Sequence, residues 1–280
     1  MGSLPTQPLF YIIAAILYFQ LPFFEVIIYR ITWAFNAVKS IPVFLLKSIY
    51  NKDVVGYSGE VYFFLWAQKN VPYEKMDIAR VIKDNNIISS VASTLVAFGL
   101  VSVFFFTGQI RLLNDLFDGS ANAIWGGVFL VVLIVFLVVA FRKKMIFMPL
   151  RSAYKIFVIH MLRLIAVLFL IVYMYYIVIP ETPLYVWFTL LSVEIILSRI
   201  PLLPNRDLIY VGLSIGMAEG LMVSESAIAG LMVARTVINK VLNVSLFAFS
   251  AALKEKTDVE IPDDSLPDED SESADQTILR

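Results

Sequence analysis

The chain reads as an all-α polytopic membrane protein: a helix bundle of about seven to eight spans with two short re-entrant or broken segments and possible inverted repeats. Three observations predict this class. Hydrophobic residues fill 59% of the 280 positions and charged residues 16%, with a mean hydropathy of +0.80; a soluble domain carries about 25% charged residues. The run Ala123–Phe141, AIWGGVFLVVLIVFLVVAF, contains no charge and approaches the ~20 residues that cross a bilayer core as helix. Between 31 and 70, two apolar stretches are interrupted before they reach that length.

Taken in order, hydropathy places spans at 8–28, 87–107, 123–141, 157–179, 184–199, 207–223 and 227–250. The first lacks a basic leader and a small-residue cleavage pattern, so it is expected to stay in the membrane as a helix. Pro22 should kink it, and Glu25 is placed to pair with Arg30. The stretches Ile31–Leu46 and Val54–Trp66 are broken by KSIYNKD and by Gly56 and Gly59. Shortened, interrupted segments of this kind mark re-entrant or discontinuous helices.

Orientation follows from lysine and arginine. The loop Arg142–Lys155 has five basic residues and no acid, which sets it on the cytoplasmic side. His160 and Arg163 can snorkel to the same interface. The loop Gly108–Asn122, with one arginine and two aspartates, suits the outer face, as does Pro180–Pro183. The aromatic run Tyr173–Pro180 reads as an interfacial belt. Glu219 and Glu225 fall in an outer hairpin, and Asn85, Asn86, Asn239 and Asn243 are candidates for hydrogen bonds between helices.

From Lys254 to Arg280 there are ten acidic and three basic residues, a net of −7; the total of −1 leaves +6 on 1–253. Residues 1–253 are therefore read as the transmembrane domain and 254–280 as an acidic, disordered cytoplasmic tail. With no cysteine, thiolate sites and disulfides are excluded. His160 is the one histidine, too few for a histidine-rich zinc cluster. No glycine-rich phosphate loop and no nucleophile–base pair stands out, so neither an enzyme nor a cofactor is expected.

Two places in the chain echo each other. GYSGEVYFFLWA is followed by MDIARVIKDNNIISSV (Met76–Val91), and PNRDLIYVGLSI by LMVARTVINKVLNVSL (Leu231–Leu246). Each has a polar turn entering a short apolar segment, then an Ala-Arg pair (Ala79-Arg80, Ala234-Arg235) in a long helix with asparagines. With the orientation above the two units would be inverted repeats, an architecture that sets a substrate site near the midplane. Pro201, Pro204 and Asn205 break helix formation, and Asp207 is placed to cap the next segment. Gly59-Glu60 is then the counterpart of Arg206-Asp207. The plainer reading of Arg206-Asp207 is an exposed cytoplasmic ion pair.

Glu194 lies deep in LYVWFTLLSVEIILSR, where a charge costs at least ~2.5 kcal/mol unless it is paired or faces a cavity. It either lines a cavity or pairs with an arginine on a neighbouring helix.

The early Gly59-Glu60 before a short helix, the late turn Pro201–Asp207, and Arg235 in the helix pair that follows resemble the membrane domain of the lysylphosphatidylglycerol synthase/flippase family over most of residues 10–250. The late turn reads PNRD, without the glycines usual there, and the arginine usual after Gly-Glu is replaced by Lys69. The resemblance covers no aminoacyl-transferase domain, so lipid aminoacylation is not implied. It implies translocation of an anionic phospholipid or a polyisoprenoid-linked lipid across the cytoplasmic membrane, with Glu60, Arg80, Glu194, Arg206, Asp207 and Arg235 along the headgroup path. Arginine can grip a phosphate bidentately, with acids compensating it when the site is empty. The alternative is a non-transporting scaffold that binds an envelope-biosynthesis enzyme through its loops or tail. No nucleic-acid partner is expected.

Overall fold

The computed structural model describes residues 4–51, 57–106, 146–198 and 206–258. Among these it is all-helical, with eight helices: α1 Pro8–Tyr29, α2 Ala37–Ile49, α3 Ser58–Asn70, α4 Lys75–Phe106, α5 Leu150–Tyr176, α6 Leu184–Ser198, α7 Arg206–Gly216 and α8 Glu225–Asp258. The span at 123–141, the loop Gly108–Asn122, Arg199, the turn at 201–205 and the tail from 259 onward lie outside the described residues.

Among the described residues three helices are long and apolar enough to cross a membrane: Pro8–Tyr29, Leu150–Tyr176 and Glu225–Ala248. Pro8 occupies the first turn of α1, where its missing N–H costs nothing, and the helix continues through Pro22. The interrupted region becomes α2 and α3, 13 residues each, well short of a ~20-residue crossing. Asn36 starts α2 by accepting from the Lys39 backbone N–H at 3.1 Å. The expected span at 184–199 is helical over all of its described residues, Leu184–Ser198, whereas that at 207–223 is shorter than hydropathy suggested, at 11 residues. The second ends at Gly216, and the backbone then turns through Met222 at φ 57°. At the other end of the chain, α8 runs on to Asp258, so the acidic segment expected from 254 begins as helix. Likewise Leu150–Lys155 of the basic loop is already the first turn and a half of α5.

The helices form two groups in the same order, α1–α4 and α5–α8: long, short, short, long. The first members run antiparallel. Phe10, Ile13 and Ala14 at the start of α1 share a core with Ile171–Tyr175 at the end of α5, whereas Ile28 meets Ala153 and Ile156 near the start of α5. The groups are thus inverted relative to one another. Sequence register follows: Ala37 and Leu184 open α2 and α6, Lys47 and Glu194 stand equally far along them, and Glu60/Asp207 and Phe63/Tyr210 follow at the same separation. The echo fails at the Ala-Arg pairs, because Arg80 is nearer the start of α4 than Arg235 is to the start of α8.

The two largest cores divide unevenly between the groups. One packs α1 against α5–α8 around Trp187, Leu190 and Ile228; the other packs Tyr29, Trp33, Phe44 and Phe63 from α1–α3 with Ile78 and Ile82 of α4. In the latter, Tyr57 adopts φ 70° just before α3, and Ser58 donates to the Tyr50 carbonyl at 2.8 Å. The Gly59 N–H then meets Asn51 Oδ1 at 2.8 Å. A Cβ at Gly59 would lie 2.1 Å from the Lys47 carbonyl oxygen, and a backbone atom cannot step aside as a flexible side chain can. Only glycine lets α3 seat this close to α2.

Gly59→Ala should therefore destabilise the fold at the upper end of the roughly 1–3 kcal/mol typical of overpacking. The check is the thermal midpoint and the monodisperse yield in detergent, against Gly99→Ala, where an added Cβ meets nothing within 4 Å.

Candidate functional site

Among the described residues, charged side chains inside these apolar helices form two ion-paired centres. The first is sealed. Lys47 of α2, with a side chain 2% exposed, is ion-paired to Glu25 of α1 and lies 3.8 Å from Glu60 of α3. Its ammonium sits 5.3 Å from the ring centroids of both Tyr29 and Phe63, a distance at which aromatic faces stabilise a cation. Gly59 makes this centre possible, since close seating of α3 brings Glu60 to Lys47. Glu25 was expected to pair with Arg30. It instead faces inward, while Arg30 caps the end of α1 and is exposed, because the buried ammonium of Lys47 is the charge in greatest need of a partner.

The second centre is more exposed. Arg235 of α8 grips Glu194 of α6 bidentately, Nη1 to Oε2 at 2.8 Å and Nη2 to Oε1 at 2.7 Å. Nη1 also donates to the Tyr175 hydroxyl of α5, which in turn faces Met232 Sδ at 3.7 Å. The Arg235 guanidinium also lies 5.9 Å from the centroid of the Tyr175 ring. The side chains of Arg235 and Glu194 keep 19% and 32% exposure, so the pair is only partly withdrawn from its surroundings. The same helices carry buried polar atoms with no hydrogen-bond partner: Trp187 Nε1 on α6, and Tyr210 OH and Ser214 Oγ on α7. Tyr210 and Ser214 share a helix face, Trp187 packs against the Tyr175 ring at 5.3 Å, and Tyr210 lies beside the Tyr175 hydroxyl without a well-formed bond. Buried polar groups without partners are rare in native folds and call for water or a ligand.

Of the two readings of Glu194, the pair with an arginine on a neighbouring helix is what forms. Glu60 belongs to the sealed centre. Arg80 is remote from both: it is exposed, pairs with Asp77 at 3.1 Å and stacks 4.7 Å over the Phe147 ring. Arg206 opens α7, and Asp207 lies exposed within its first turn. Asp207 thus complements the helix dipole from inside the helix and is not the cap expected of it.

Several contributors were not legible in the sequence. Tyr175, read as part of an interfacial belt, is fully buried, while Tyr173 and Tyr176 on either side of it are exposed. Asp84, fully buried, accepts from the backbone N–H groups of Phe147 (2.6 Å) and Met148 (2.8 Å), tying α4 to the entry of α5. His160 and Arg163, expected to snorkel, are buried. His160 Nε2 meets Asn85 Oδ1 at 3.1 Å, and Asn85 Nδ2 donates to the Tyr29 hydroxyl at 3.3 Å. Asn85 and Asn243, which accepts from Tyr18, therefore bond between helices as expected. Glu219 and Glu225 are exposed at the α7–α8 turn, also as expected. Among the described residues no group of three or more His, Cys, Asp or Glu could hold a metal ion.

What the described residues define is an all-helical membrane protein, with three helices long and apolar enough to cross a bilayer and charged centres among its helices. Compared with protein-family models, with curated proteins and with solved structures, the chain matches none.

Arg235→Ala and Glu194→Ala should each destabilise the protein, and the double variant should lose less than their sum, with a coupling of about 1–3 kcal/mol. Tyr175→Phe should cost roughly 1.5–3 kcal/mol, the worth of a hydrogen bond to a charged group. Reversible unfolding in detergent for the four variants checks both figures.

Proposed function

We propose that this chain translocates a lipid, or a lipid-linked substrate, across the cytoplasmic membrane, with the polar headgroup passing the Arg235–Glu194 pair. The observation that carries this reading is a partly exposed bidentate ion pair within the bundle, on helices that also carry the unpartnered polar atoms of Trp187, Tyr210 and Ser214. A headgroup needs such a path because its phosphate and hydroxyls cannot enter hydrocarbon unsolvated, while the acyl chains can remain in the bilayer.

The chemistry fits an oxyanion. A substrate phosphate can take the place of the Glu194 carboxylate on Arg235, since both accept two parallel N–H bonds from one guanidinium. Glu194 compensates Arg235 when no substrate is present. Inverted halves are the usual framework for alternating access, and the resemblance noted from Gly59-Glu60 and Arg235 supports a lipid as the cargo. In this reading the basic cluster of Arg142–Lys155 faces the cytoplasm and the acidic tail lies on the same side.

Labelled phospholipid movement in proteoliposomes is the test. Wild type should exceed protein-free vesicles, and Arg235→Ala should lower the rate at least about tenfold, the effect of losing roughly 1.4 kcal/mol of stabilisation of the moving headgroup. Deleting 259–280 should leave the rate within about twofold, because α8 is retained and charge runs of this kind are solvated. Folded wild-type protein that moves no lipid, with or without a proton gradient, overturns the reading. Loss on tail deletion alone favours a scaffold.

A further inference from the structure

Where α1 ends and the chain turns back into α2, the two helices leave a groove of about 420 Å³ between them. Its wall on α1 is Phe23, Val26, Ile27 and Arg30, spaced i, i+3, i+4 and i+7 along one helix face. The facing wall is the start of α2, with Val38 and Ile41. Arg30 is the only lining residue that is not apolar. It is exposed, and among the described residues no carboxylate lies within ion-pair distance of it.

The depth of the groove in a bilayer follows from α1. Its 22 residues span about 33 Å at 1.5 Å per residue, against a hydrocarbon core of ~30 Å. Arg30, directly after the last turn, therefore stands where hydrocarbon gives way to headgroups, and Phe23 lies about 10 Å deeper. Ile31, which also lines the groove, packs with Ile146 and Met148 at the entry of α5. The groove thus opens on the same membrane face as the exposed Arg151 and Lys155, and cations at a membrane surface enrich anionic lipids there.

An apolar wall alone is what any bilayer-facing helix shows. Here a concave apolar wall leads up to a cation at phosphate depth, the order in which a phospholipid presents its own parts. Arginine can hold two phosphate oxygens in parallel. An anionic headgroup offers them with no positive group of its own, whereas a zwitterionic one brings a competing cation. A second copy of the chain in a two-fold contact would bring another groove and another Arg30, and so neither the acyl chain nor the anion. We propose that the α1–α2 groove binds one anionic glycerophospholipid, with an acyl chain against Phe23, Ile27 and Val38 and the phosphate on Arg30. The site is separate from the Arg235–Glu194 pair and holds in a protein that transports nothing.

The experiment is the thermal midpoint of the purified full chain in detergent, titrated with phosphatidylglycerol, with phosphatidylcholine of the same acyl chains, or with glycerol phosphate. Wild type is compared with Arg30→Gln, Val38→Trp and Arg151→Gln, all at exposed positions. At about 100-fold excess of phosphatidylglycerol over Kd, wild type and Arg151→Gln should gain roughly 5–10 °C. Arg30→Gln should bind phosphatidylglycerol about tenfold more weakly, through loss of the charge-assisted hydrogen bonds, with its affinity for phosphatidylcholine unchanged. Val38→Trp, which fills the groove, should lose the response to both lipids. Should Arg30→Gln not fold, Arg30→Lys carries the comparison, since it keeps the charge and loses the fork. Equal affinity of wild type for the two lipids, an equal loss in Arg151→Gln, or an undiminished gain in Val38→Trp overturns the proposal. So does a gain with glycerol phosphate as large as that with phosphatidylglycerol, which would give Arg30 a dissolved anion. A dimer seen by light scattering without lipid and dispersed by Val38→Trp would give the groove to a second copy, and overturns it equally.

Discussion

Arg235 and Glu194 bind α8 to α6 because neither charge can stay unpaired inside an apolar bundle, and Tyr175 brings α5 to the same guanidinium. Breaking a buried pair strands a charge, which costs far more than the intact pair contributes. The same constraint fixes the first half of the molecule. Lys47 lies on the short helix α2, and its charge is met by Glu25 from α1 and Glu60 from α3, so three helices converge on one ammonium. Short helices cannot anchor themselves in a bilayer by hydrophobic length; here, charge pairing supplements their packing.

The two halves use equivalent positions with opposite signs. Lys47 and Glu194 correspond along α2 and α6, and Phe63 and Tyr210 along α3 and α7. Yet one centre is closed over by Gly59 and four aromatic rings, while the ion pair of the other keeps partial exposure. Glycine at 59 lets α3 close onto α2, and the greater exposure of the Arg235–Glu194 pair separates the two centres.

Much of the architecture was legible in the sequence. Composition fixed the helical membrane class, since a chain this apolar has too few charges to face water on all sides. Interrupted hydropathy located α2 and α3, and the polar turn before each short segment revealed the internal echo. Glu60, Glu194 and Arg235 stood out because a charge within an apolar run must be answered somewhere. Arg80 and Asp207 carried the same signal but lie exposed near helix starts; proximity to an apolar run does not tell which face of the helix a charge occupies.

What the sequence determined by itself was the set of groups needing partners and the helical segments bearing them, because hydropathy and helix-breaking residues act locally. Who partners whom was decided by tertiary structure. Glu25 faces Lys47 and leaves the nearer Arg30 exposed, Tyr175 is buried between two exposed tyrosines, and His160 and Arg163 turn inward where snorkelling was expected. Each of these choices depends on the rotation of one helix against another. That rotation comes from packing across the whole bundle, and no window along a single helix contains it.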